Sequence, residues 1–333
     1  MKIIIPMAGM GKRMRPHTLT VPKPLIPVAG KPIVYRLVED LAAMVNEQID
    51  EIAFIIGDFG AEVEQNLIKI AESVGAKGTI HYQDKPLGTA HAILCAGDSL
   101  DGHVIVAFAD TLFYADFKID TTQDGVIWTK RIPNPQQFGV VETSTDGSVV
   151  KFWEKPQHFV SDEAIIGIYY FSDGADLRSH LQRLIDENIM VKGEYQLTDA
   201  LEAMLQQGKT FKTATVTHWL DCGNKDATVD TNKTVLELTG NKGQERENLF
   251  QDNALIVEPC YIGYNVILKN CIIGPYASIG HNSMVENAIV TNSIVLNNSK
   301  VTHAFLDNAM LGNYSSYYGQ ASSVNLGDYS EVK

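Results

Sequence analysis

The first 240 residues alternate short apolar runs with longer segments of helical periodicity. The clearest apolar runs are 2–6 and 103–108, and further strands are predicted at 51–56, 79–82, 125–130, 139–143, 148–153, 164–171 and 211–216. The periodic segments predict helices at 32–47, 60–74, 88–97, 174–189 and 197–207. Strands that alternate with helices in this way predict βαβ units, and therefore an α/β fold on a mostly parallel sheet. Ligands of such sheets bind at the carboxyl ends of strands, so the loops after 2–6 and 103–108 mark the candidate site.

The pattern changes after residue 240. Residues 241–254 are polar, charged and glycine-containing, which is typical of a linker, whereas residues 255–323 contain only five charged side chains and nine asparagines. A shift of 17 residues superposes Ile256 on Ile273, and Gly263 on Gly280. Apolar residues that recur about every six positions predict a hexapeptide solenoid with asparagine and glycine at its corners. The repeat loses its register after Val290, and about four coils are expected.

These patterns predict four segments along the chain. They are an α/β domain at 1–240, a linker at 241–254, a hexapeptide-repeat β-helix at 255–323 and a C-terminal tail at 324–333. The coils carry little charge, and the tail is too short and polar to form a large cap, so another protomer is expected to cover an exposed side or end. We therefore expect a homo-oligomer that assembles through the β-helix.

The distribution of charge indicates the kind of partner. The chain carries 27 Lys and Arg against 40 Asp and Glu, and its net charge of −13 disfavours nucleic acid or an anionic membrane surface as a partner. Seven of the basic residues lie within residues 1–38, which contain no Asp or Glu. This concentration beside glycines predicts a site for a compact phosphate, although a solvated basic surface would give the same pattern.

Two further features of the composition concern the compartment. No apolar run reaches the roughly 18 residues of a membrane span, and no signal-peptide pattern follows Met1, so a cytoplasmic location is expected. The four cysteines show no CxxC spacing and are too few for a disulfide scaffold, which predicts buried, reduced thiols.

The loop after the first predicted strand, Pro6–Pro16, is rich in glycine. Its Gly9 and Gly11 allow backbone N–H groups to approach a phosphate closely. The loop is not a dinucleotide-binding fingerprint, because Met14 occupies the place of the third glycine or alanine, and it is not a P-loop, because no Ser or Thr follows Lys12. On its own, the loop indicates a phosphate contact and no particular reaction.

Several further motifs follow this loop in a recognisable order. They are Pro22–Pro32, Gln83–Ala90, Phe108–Asp110, Phe138–Glu142, Glu154–Pro156, Gly193–Asp199 and Trp219–Gly223. Over residues 1–225 the chain resembles the sugar-1-phosphate nucleotidylyltransferases, and the glucose-1-phosphate thymidylyltransferases among them. Ala8, Lys12 and Ala109 depart from the residues that are common in that family. The resemblance implies a Rossmann-like mixed, mostly parallel sheet, followed by a short left-handed parallel β-helix.

The resemblance also implies a reaction and its residues. An oxygen of a sugar-1-phosphate attacks the α-phosphorus of a nucleoside triphosphate, and pyrophosphate leaves without a covalent enzyme intermediate. Arg13 and Lys23 would contact the triphosphate, and Lys155 the sugar phosphate. Asp110 and Asp221, which complete the implied catalytic set, would hold Mg²⁺. The implied nucleotide-binding residues are Ala8, Gly9, Gly11, Arg13, Lys23, Gln83, Pro86, Gly88 and Thr89. The implied sugar-phosphate-binding residues are Gly139, Glu154, Lys155, Gly167 and Glu194.

Each assignment has a structural alternative. An aspartate at a strand end often belongs to a turn, and a Glu154–Lys155 pair at the surface would have little energetic value. Gly139 and Gly167 equally suit strand bulges or turns.

The resemblance favours glucose-1-phosphate with dTTP as substrates. A mannose-1-phosphate guanylyltransferase or a UTP-using relative shares the same skeleton, since a few pocket residues decide the base and sugar. Two further classes are a catalytically silent regulatory subunit and a bifunctional enzyme with acyltransferase activity on the β-helix. In the latter, His281 or His303 would act as the general base.

Overall fold

The computed structural model describes residues 1–115, 118–240 and 246–320. The chain divides into two compact units. The first contains Met1–Ile26 and Pro32–Gly223, and the second contains Pro27–Lys31 together with the chain from Asn224 onward. This division differs from the predicted boundary at residue 240, because the chain after Gly223 belongs to the second unit and five residues near the N-terminus join it.

All the α-helices in the described ranges lie before residue 240. They are α1 (Ile33–Met44), α2 (Ala61–Ser73), α3 (Thr89–Leu94), α4 (Gly174–Asp186), α5 (Leu197–Gln206) and α6 (Lys225–Thr239). The strands are β1 (Lys2–Pro6), β2 (Pro27–Val28), β3 (Lys31–Pro32), β4 (Glu51–Ile56), β5 (Lys77–Tyr82), β6 (Val104–Ala107), β7 (Thr111–Tyr114), β8 (Gly125–Arg131), β9 (Gly139–Thr143), β10 (Val149–Glu154), β11 (Glu163–Phe171), β12 (Phe211–Thr215) and β13 (His218–Asp221). No helix in these ranges is long and apolar enough to span a bilayer.

The first unit is built on one mixed sheet with the order β10-β9-β11-β6-β1-β4-β5, and β8 joins β11 and β12. Strands β6, β1, β4 and β5 are parallel neighbours, whereas β11 runs antiparallel to β6. The apolar run of β1 forms the centre, since Ile3, Ile4 and Ile5 are fully buried. Strands that are covered on both faces are apolar throughout, which explains why these runs do not alternate. The predicted α/β fold class is confirmed.

A small antiparallel pair, β7 and β13, brings two distant segments together. Its register places Asp221 opposite Thr111, and the Cys222 amide donates a hydrogen bond to the Asp110 carbonyl at 3.0 Å. The chain therefore holds the residues around Asp110 and Asp221 side by side by backbone pairing. The sequence pattern predicts neither strand.

The second unit contains the coils of a parallel β-helix. Its strands are β14 (Phe250–Ile256), β15 (Tyr261–Ile262), β16 (Ile267–Ile273), β17 (Ser278–Ile279), β18 (Met284–Glu286), β19 (Ile289–Val290), β20 (Ile294–Val295), β21 (Lys300–Thr302), β22 (Phe305–Leu306), β23 (Met310–Leu311) and β24 (Ser316–Tyr318). All their pairings are parallel within the described coils. Small apolar side chains such as Ile262, Ile279 and Val295 stack inside the coils. This all-parallel curled sheet is the form expected of a left-handed β-helix.

The pairing explains why the sequence repeat loses its register. The pairs Ile256↔Ile273 and Ile273↔Val290 are separated by 17 residues, whereas Ile279↔Val295 and Val290↔Leu306 are separated by 16. The corners that contain Pro259 and Pro275 have one residue more than the corner at 291–293. The repeat therefore continues with a shorter corner, and a comparison at a fixed shift of 17 residues no longer aligns the later coils.

The predicted asparagine corners are present. Asn253, Asn270, Asn282 and Asn287 have positive φ. Their side chains form ladders between coils, for example from Asn253 Nδ2 to Asn270 Oδ1 at 2.8 Å. Asparagine tolerates the left-handed region and also bonds to its neighbour, so it suits a repeated corner.

Helix α6 belongs to the second unit, although the sequence pattern does not predict it. Its buried side chains include Thr228, Thr231 and Asn232 besides valine and leucine, so the helix lacks a clear apolar stripe. The Asn232 carboxamide makes three hydrogen bonds: its oxygen accepts from the Ala29 amide at 2.9 Å and the Ser278 hydroxyl at 2.6 Å, and its nitrogen donates to the Tyr276 carbonyl at 3.2 Å.

The first strand of the β-helix begins inside the predicted linker at 241–254, because β14 starts at Phe250 and pairs with β16 from that residue onward. Residues 241–245 of this linker lie outside the described residues, as do the last three residues of the predicted β-helix and the whole predicted tail at 324–333.

Candidate active site

The glycine-rich loop after β1 forms one wall of a cavity of about 520 Å³ in the first unit. Gly11 has φ +56°, and a side-chain carbon there would lie 2.9 Å from the Thr18 methyl group. A carbon added at Gly9 would meet nothing within 4 Å, so that position opens onto free space. The Thr18 hydroxyl donates to the Gly11 carbonyl at 2.8 Å and holds the loop in this form. At Gly9 the loop therefore presents backbone to open space.

All nine residues that the sequence predicts for the nucleotide line this cavity. They are Ala8, Gly9, Gly11, Arg13, Lys23, Gln83, Pro86, Gly88 and Thr89, and Asp110 and Glu194 also line it. These residues come from segments between 8 and 194 in the chain, and the fold brings them to one place.

Two cations and two carboxylates form a compact group beside the glycine loop. Lys23 Nζ lies 2.8 Å from Asp110 Oδ2, and the Lys23 side chain is only 9% exposed, against 42% for Asp110. Asp221 Oδ1 accepts a hydrogen bond from the Gly223 amide at 2.8 Å. A side-chain carbon at Gly223 would lie 2.8 Å from Asp221 Oδ1 and 3.2 Å from Arg13 Nη2. Gly223 therefore allows Arg13 and Asp221 to approach each other.

The electrostatic environment of Asp221 reflects this crowding. Burial raises the pKa of Asp221, and so does the negative charge of Asp110. The Gly223 amide and the charges of Lys23 and Arg13 oppose the rise. Two neighbouring carboxylates repel each other, and a cation placed between them would relieve that repulsion.

The segment after β5 contacts the residues just before α5. Gly88 has φ +112°, and a side-chain carbon there would lie 2.4 Å from the Tyr195 carbonyl oxygen. The Tyr195 amide donates to the Leu87 carbonyl, and the Ala90 amide to the Tyr195 carbonyl, at 2.8 and 3.0 Å. Gln83 Nε2 donates to the Gly88 carbonyl at 3.3 Å and lies 3.1 Å from His91 Nδ1. Only glycine fits at residue 88, because both its conformation and its space exclude a side chain.

Three of the predicted sugar-phosphate residues, Gly139, Glu154 and Lys155, form a second group, whereas Glu194 lines the cavity beside the glycine loop. Glu154 ends β10, and its carboxylate lies 3.2 Å from Lys155 Nζ and accepts from the Thr198 hydroxyl at 3.2 Å. A side-chain carbon at Gly139 would lie 3.4 Å from the same carboxylate. Gly167, with φ +89°, accepts a hydrogen bond from the Phe108 amide at 3.0 Å through its carbonyl. Gly139, Glu154, Lys155, Gly167 and Asp221 do not line the cavity beside the glycine loop.

Comparison with known proteins identifies the family. Residues 2–237 of the chain match the nucleotidyl transferase family. The chain belongs to this family. A glucose-1-phosphate thymidylyltransferase of Streptomyces antibioticus is similar to it, with 29% identity over 100% of this chain and 99% of that protein. The bifunctional protein GlmU of Methanocaldococcus jannaschii is 30% identical to it over 78% of this chain and 60% of that protein. A Bacillus anthracis structure, described as a glucose-1-phosphate thymidylyltransferase in complex with a sucrose, shares the fold with a TM-score of 0.59 at 24% identity, over 70% of this chain and 94% of that one.

Nucleotidyl transferases generally use a divalent metal, and the residues of this one fit that requirement. Asp110 and Asp221 offer carboxylate oxygens, which hard cations prefer. No group of three or more His, Cys, Asp or Glu residues that could hold a metal occurs within residues 1–115, 118–240 and 246–320. Two carboxylates leave most of the coordination sphere to phosphate oxygens and water, which suits a metal that binds together with its nucleotide.

Several residues of this nucleotidyl transferase site are absent from the predicted set. Pro6, Met7, Met10, Lys12, Pro24, Ala92, Phe108, Ala109 and Gly223 also line the cavity. Asp199 lies in the second group: burial and the charge of Glu154 raise its pKa, and its Oδ2 has no hydrogen-bond partner among the described residues. The motif Gly193–Asp199 contains Asp199, but only the fold shows that it is close to Glu154.

Proposed function

We propose that this nucleotidyl transferase is a Mg²⁺-dependent sugar-1-phosphate nucleotidylyltransferase that uses glucose-1-phosphate and dTTP. The observation that supports it most is the group formed by Lys23, Asp110, Asp221 and Arg13 beside a glycine loop with free space at Gly9. This arrangement suits a triphosphate with its metal. The glucose-1-phosphate thymidylyltransferase that aligns over the whole chain supports the choice of substrates.

The chemistry assigns a task to each group. A phosphate oxygen of the sugar-1-phosphate forms a new bond to the α-phosphorus of the nucleotide, while the bond from that phosphorus to the pyrophosphate oxygen breaks. Asp110 and Asp221 would hold Mg²⁺, whose charge would neutralise the phosphates. The planar guanidinium of Arg13 can donate to two triphosphate oxygens at once, and the ammonium of Lys23 supplies a compact positive charge.

The second group of residues, together with Glu194 in the cavity, would position the sugar phosphate. Lys155 binds its phosphate, and Glu154 and Glu194 accept hydrogen bonds from sugar hydroxyls. Gln83 and the backbone at Gly88 contact the base. Because no covalent intermediate forms, the enzyme contributes position and charge, and the two groups must hold both substrates in line.

A catalytically silent regulatory subunit is the second candidate. Such a subunit would lack members of the cation and carboxylate set, whereas Arg13, Lys23, Asp110, Lys155 and Asp221 are all present.

An acyltransferase activity on the β-helix would need a histidine that is free to act as general base. His281 is held by Tyr264: its Nδ1 accepts from the Tyr264 amide at 3.1 Å, and its ring stacks on Tyr264 at 3.9 Å. These contacts give His281 a structural role in the coil.

The test is a matrix of the four ribonucleoside triphosphates and dTTP against several sugar-1-phosphates, with pyrophosphate release as the readout. We expect the highest kcat/KM with dTTP and glucose-1-phosphate. A chelator should stop release, and added Mg²⁺ should restore it. Release that persists in chelator, or that needs no sugar-1-phosphate, would contradict the proposal, and a preference for GTP or UTP would correct the substrates.

The proposal includes a homo-oligomer assembled through the β-helix. Leu255, Ile272, Ile289 and Phe305 lie in register on successive coils. Leu255 and Phe305 are 57% and 71% exposed, so the column presents apolar surface on an otherwise negatively charged chain. Such a column is typical of an interaction surface.

The four cysteines are free, which agrees with the proposed cytoplasmic location.

Phe305→Asp should reduce the oligomer to smaller species, since a charge in an apolar interface is desolvated without a partner. Light scattering over a range of protein concentrations would measure the mass. Tyr314→Asp, which changes an 80% exposed aromatic residue outside the column, serves as the control. An unchanged mass for Phe305→Asp would exclude this column as the interface.

A further inference from the structure

Gln196, the residue before α5, connects two parts of the candidate site that are far apart in sequence. It is only 8% exposed. Its Nε2 donates to Glu194 Oε2 at 3.0 Å, and its Oε1 accepts from the Thr89 hydroxyl at 3.3 Å. The Thr89 hydroxyl in turn accepts from the Leu197 amide at 3.0 Å. The result is a chain of hydrogen bonds from Leu197 through Thr89 and Gln196 to Glu194.

The direction of this chain is fixed by the chemistry of its members. The Leu197 amide can only donate, and a carboxylate such as Glu194 can only accept. Thr89 has one proton and gives it to Gln196, so the amide nitrogen of Gln196 must face Glu194. The opposite orientation of the amide would place an oxygen against the carboxylate and a nitrogen against the hydroxyl. A single arrangement therefore satisfies every group.

This chain of hydrogen bonds connects residues that are assigned to different substrates. Thr89 and Gly88 lie in the segment assigned to the base, and Glu194 is assigned to a sugar hydroxyl; all three line the same cavity. In the described part of the chain, no other side chain donates to the Glu194 carboxylate. Glu194 also packs closely against the base segment, because a side-chain carbon at Gly88 would lie 3.0 Å from Glu194 Cβ.

We propose that Gln196 is a positioning residue that holds Glu194 in place for the sugar and couples it to Thr89 in the base segment. This inference rests on the proposed function. A carboxylate held before the substrate arrives needs no reordering on binding, so the loss of its donor should weaken sugar binding more than it slows the chemical step. Gln196 touches neither substrate and acts through Glu194 and Thr89.

The decisive variant is Gln196→Glu, which keeps the shape and replaces the donor by a carboxyl group. At low pH one of the two neighbouring carboxyls is protonated and can donate to the other. As pH rises, both ionise and repel each other, because burial and a like charge raise the pKa of such a pair. We expect the KM for the sugar-1-phosphate to rise about tenfold between pH 5.5 and pH 8 in this variant, with kcat changing less.

Two further variants complete the experiment. Gln196→Met removes both hydrogen bonds without adding a charge, so it should raise the same KM at all pH values and weaken the discrimination between nucleotides. Gln206→Glu is the matched control, since Gln206 is the last residue of α5, is exposed and donates to Glu202 at 3.3 Å. It should keep the KM and the pH profile of the wild type.

A second readout does not depend on catalysis. The melting temperature of Gln196→Glu should fall relative to wild type as pH rises from 5.5 to 8, because a raised folded-state pKa removes stability above the ordinary pKa. Gln206→Glu should follow the wild type. A flat stability difference for Gln196→Glu would overturn the inference whatever reaction the enzyme catalyses.

The kinetic outcomes separate this inference from the proposed function. A wild type without sugar-dependent pyrophosphate release would contradict the function. An active wild type whose sugar-1-phosphate KM is unaffected by Gln196→Met and Gln196→Glu would overturn the positioning role alone.

Discussion

Asp221→Asn should raise the melting temperature of the metal-free protein, whereas the chemically identical change Asp110→Asn should lower it. Burial and the charge of Asp110 raise the pKa of Asp221, so its charged form is disfavoured in the fold and an uncharged amide relieves that penalty. The side-chain oxygen of the Asp221→Asn variant would still accept from the Gly223 amide. Asp110, by contrast, neutralises the nearly buried Lys23 at 2.8 Å, and its loss should cost about 1–3 kcal/mol.

The stability difference between Asp221→Asn and the wild type should depend on pH. A carboxyl group whose folded-state pKa is raised loses stability as pH rises from its ordinary pKa of 3.8 to the raised value. The advantage of Asp221→Asn over wild type should therefore grow over that interval and stay constant above it. Thermal unfolding in chelator at several pH values would measure it. A lower melting temperature for Asp221→Asn at neutral pH would show that the two carboxylates do not oppose each other.

Both variants should lose at least about 100-fold in turnover, because each removes a carboxylate from the metal site. Mg²⁺ with nucleotide should raise the melting temperature of the wild type and of neither variant. Asp98→Asn, an exposed change in an ion pair with Arg178, is the control for activity. Full turnover in either active-site variant would contradict the assignment of Asp110 and Asp221 to the metal.

Lys23→Ala and Lys155→Ala should affect different substrates. Lys155 is half exposed and pairs with Glu154 in the group assigned to the sugar, so its loss should raise the KM for the sugar-1-phosphate about 10- to 100-fold. Lys23 lies in the cavity beside the glycine loop, and its loss should raise the KM for the triphosphate by a similar factor.

Stability provides a second distinction between these lysines. The Lys155 side chain is 54% exposed, and a pair with such an exposed member contributes about 0–1 kcal/mol, so Lys155→Ala should unfold nearly like the wild type. Lys23→Ala removes a largely buried side chain and should unfold at a lower temperature. Lys209→Ala breaks a 3.3 Å surface pair with Asp176 away from the site and is the matched control. Equal effects of Lys23→Ala and Lys155→Ala on both Michaelis constants would refute this division of roles.

The sequence predicts those parts of the fold whose signal is local. β1 and β4 are continuous apolar runs, and their predicted bounds match the observed strands. β7 and β13 are only four residues long, and their pairing joins residues more than a hundred positions apart, so no local pattern indicates them. Helix α6 escapes prediction because Thr228, Thr231 and Asn232 occupy its buried side.

The same distinction applies to the candidate site. Gly9, Gly11, Asp110 and Asp221 are recognisable in the sequence, because motifs surround them. The role inferred for Gln196 depends on contacts with Thr89, more than a hundred residues earlier, and on the orientation of one amide group. Asp199 is similar, since its closeness to Glu154 arises only after α5 packs beside β10. The resemblance implies which side chains contact the substrates, and the structure is needed to find the residues that hold those side chains in place.

The five residues Pro27–Lys31 have a consequence for how such proteins can be recombined. They belong to the unit that otherwise begins at Asn224, and the Ala29 amide bonds to Asn232 of α6. A chimera joined in the linker, with a β-helix from a relative, would leave α6 and residues 27–31 with the wrong partner. A chimera joined at Gly223 would still separate residues 27–31 from α6, because the two would then come from different proteins. During synthesis, the loop also emerges long before α6 exists, so the second unit completes its hydrogen bonds only once the C-terminal part of the chain is made.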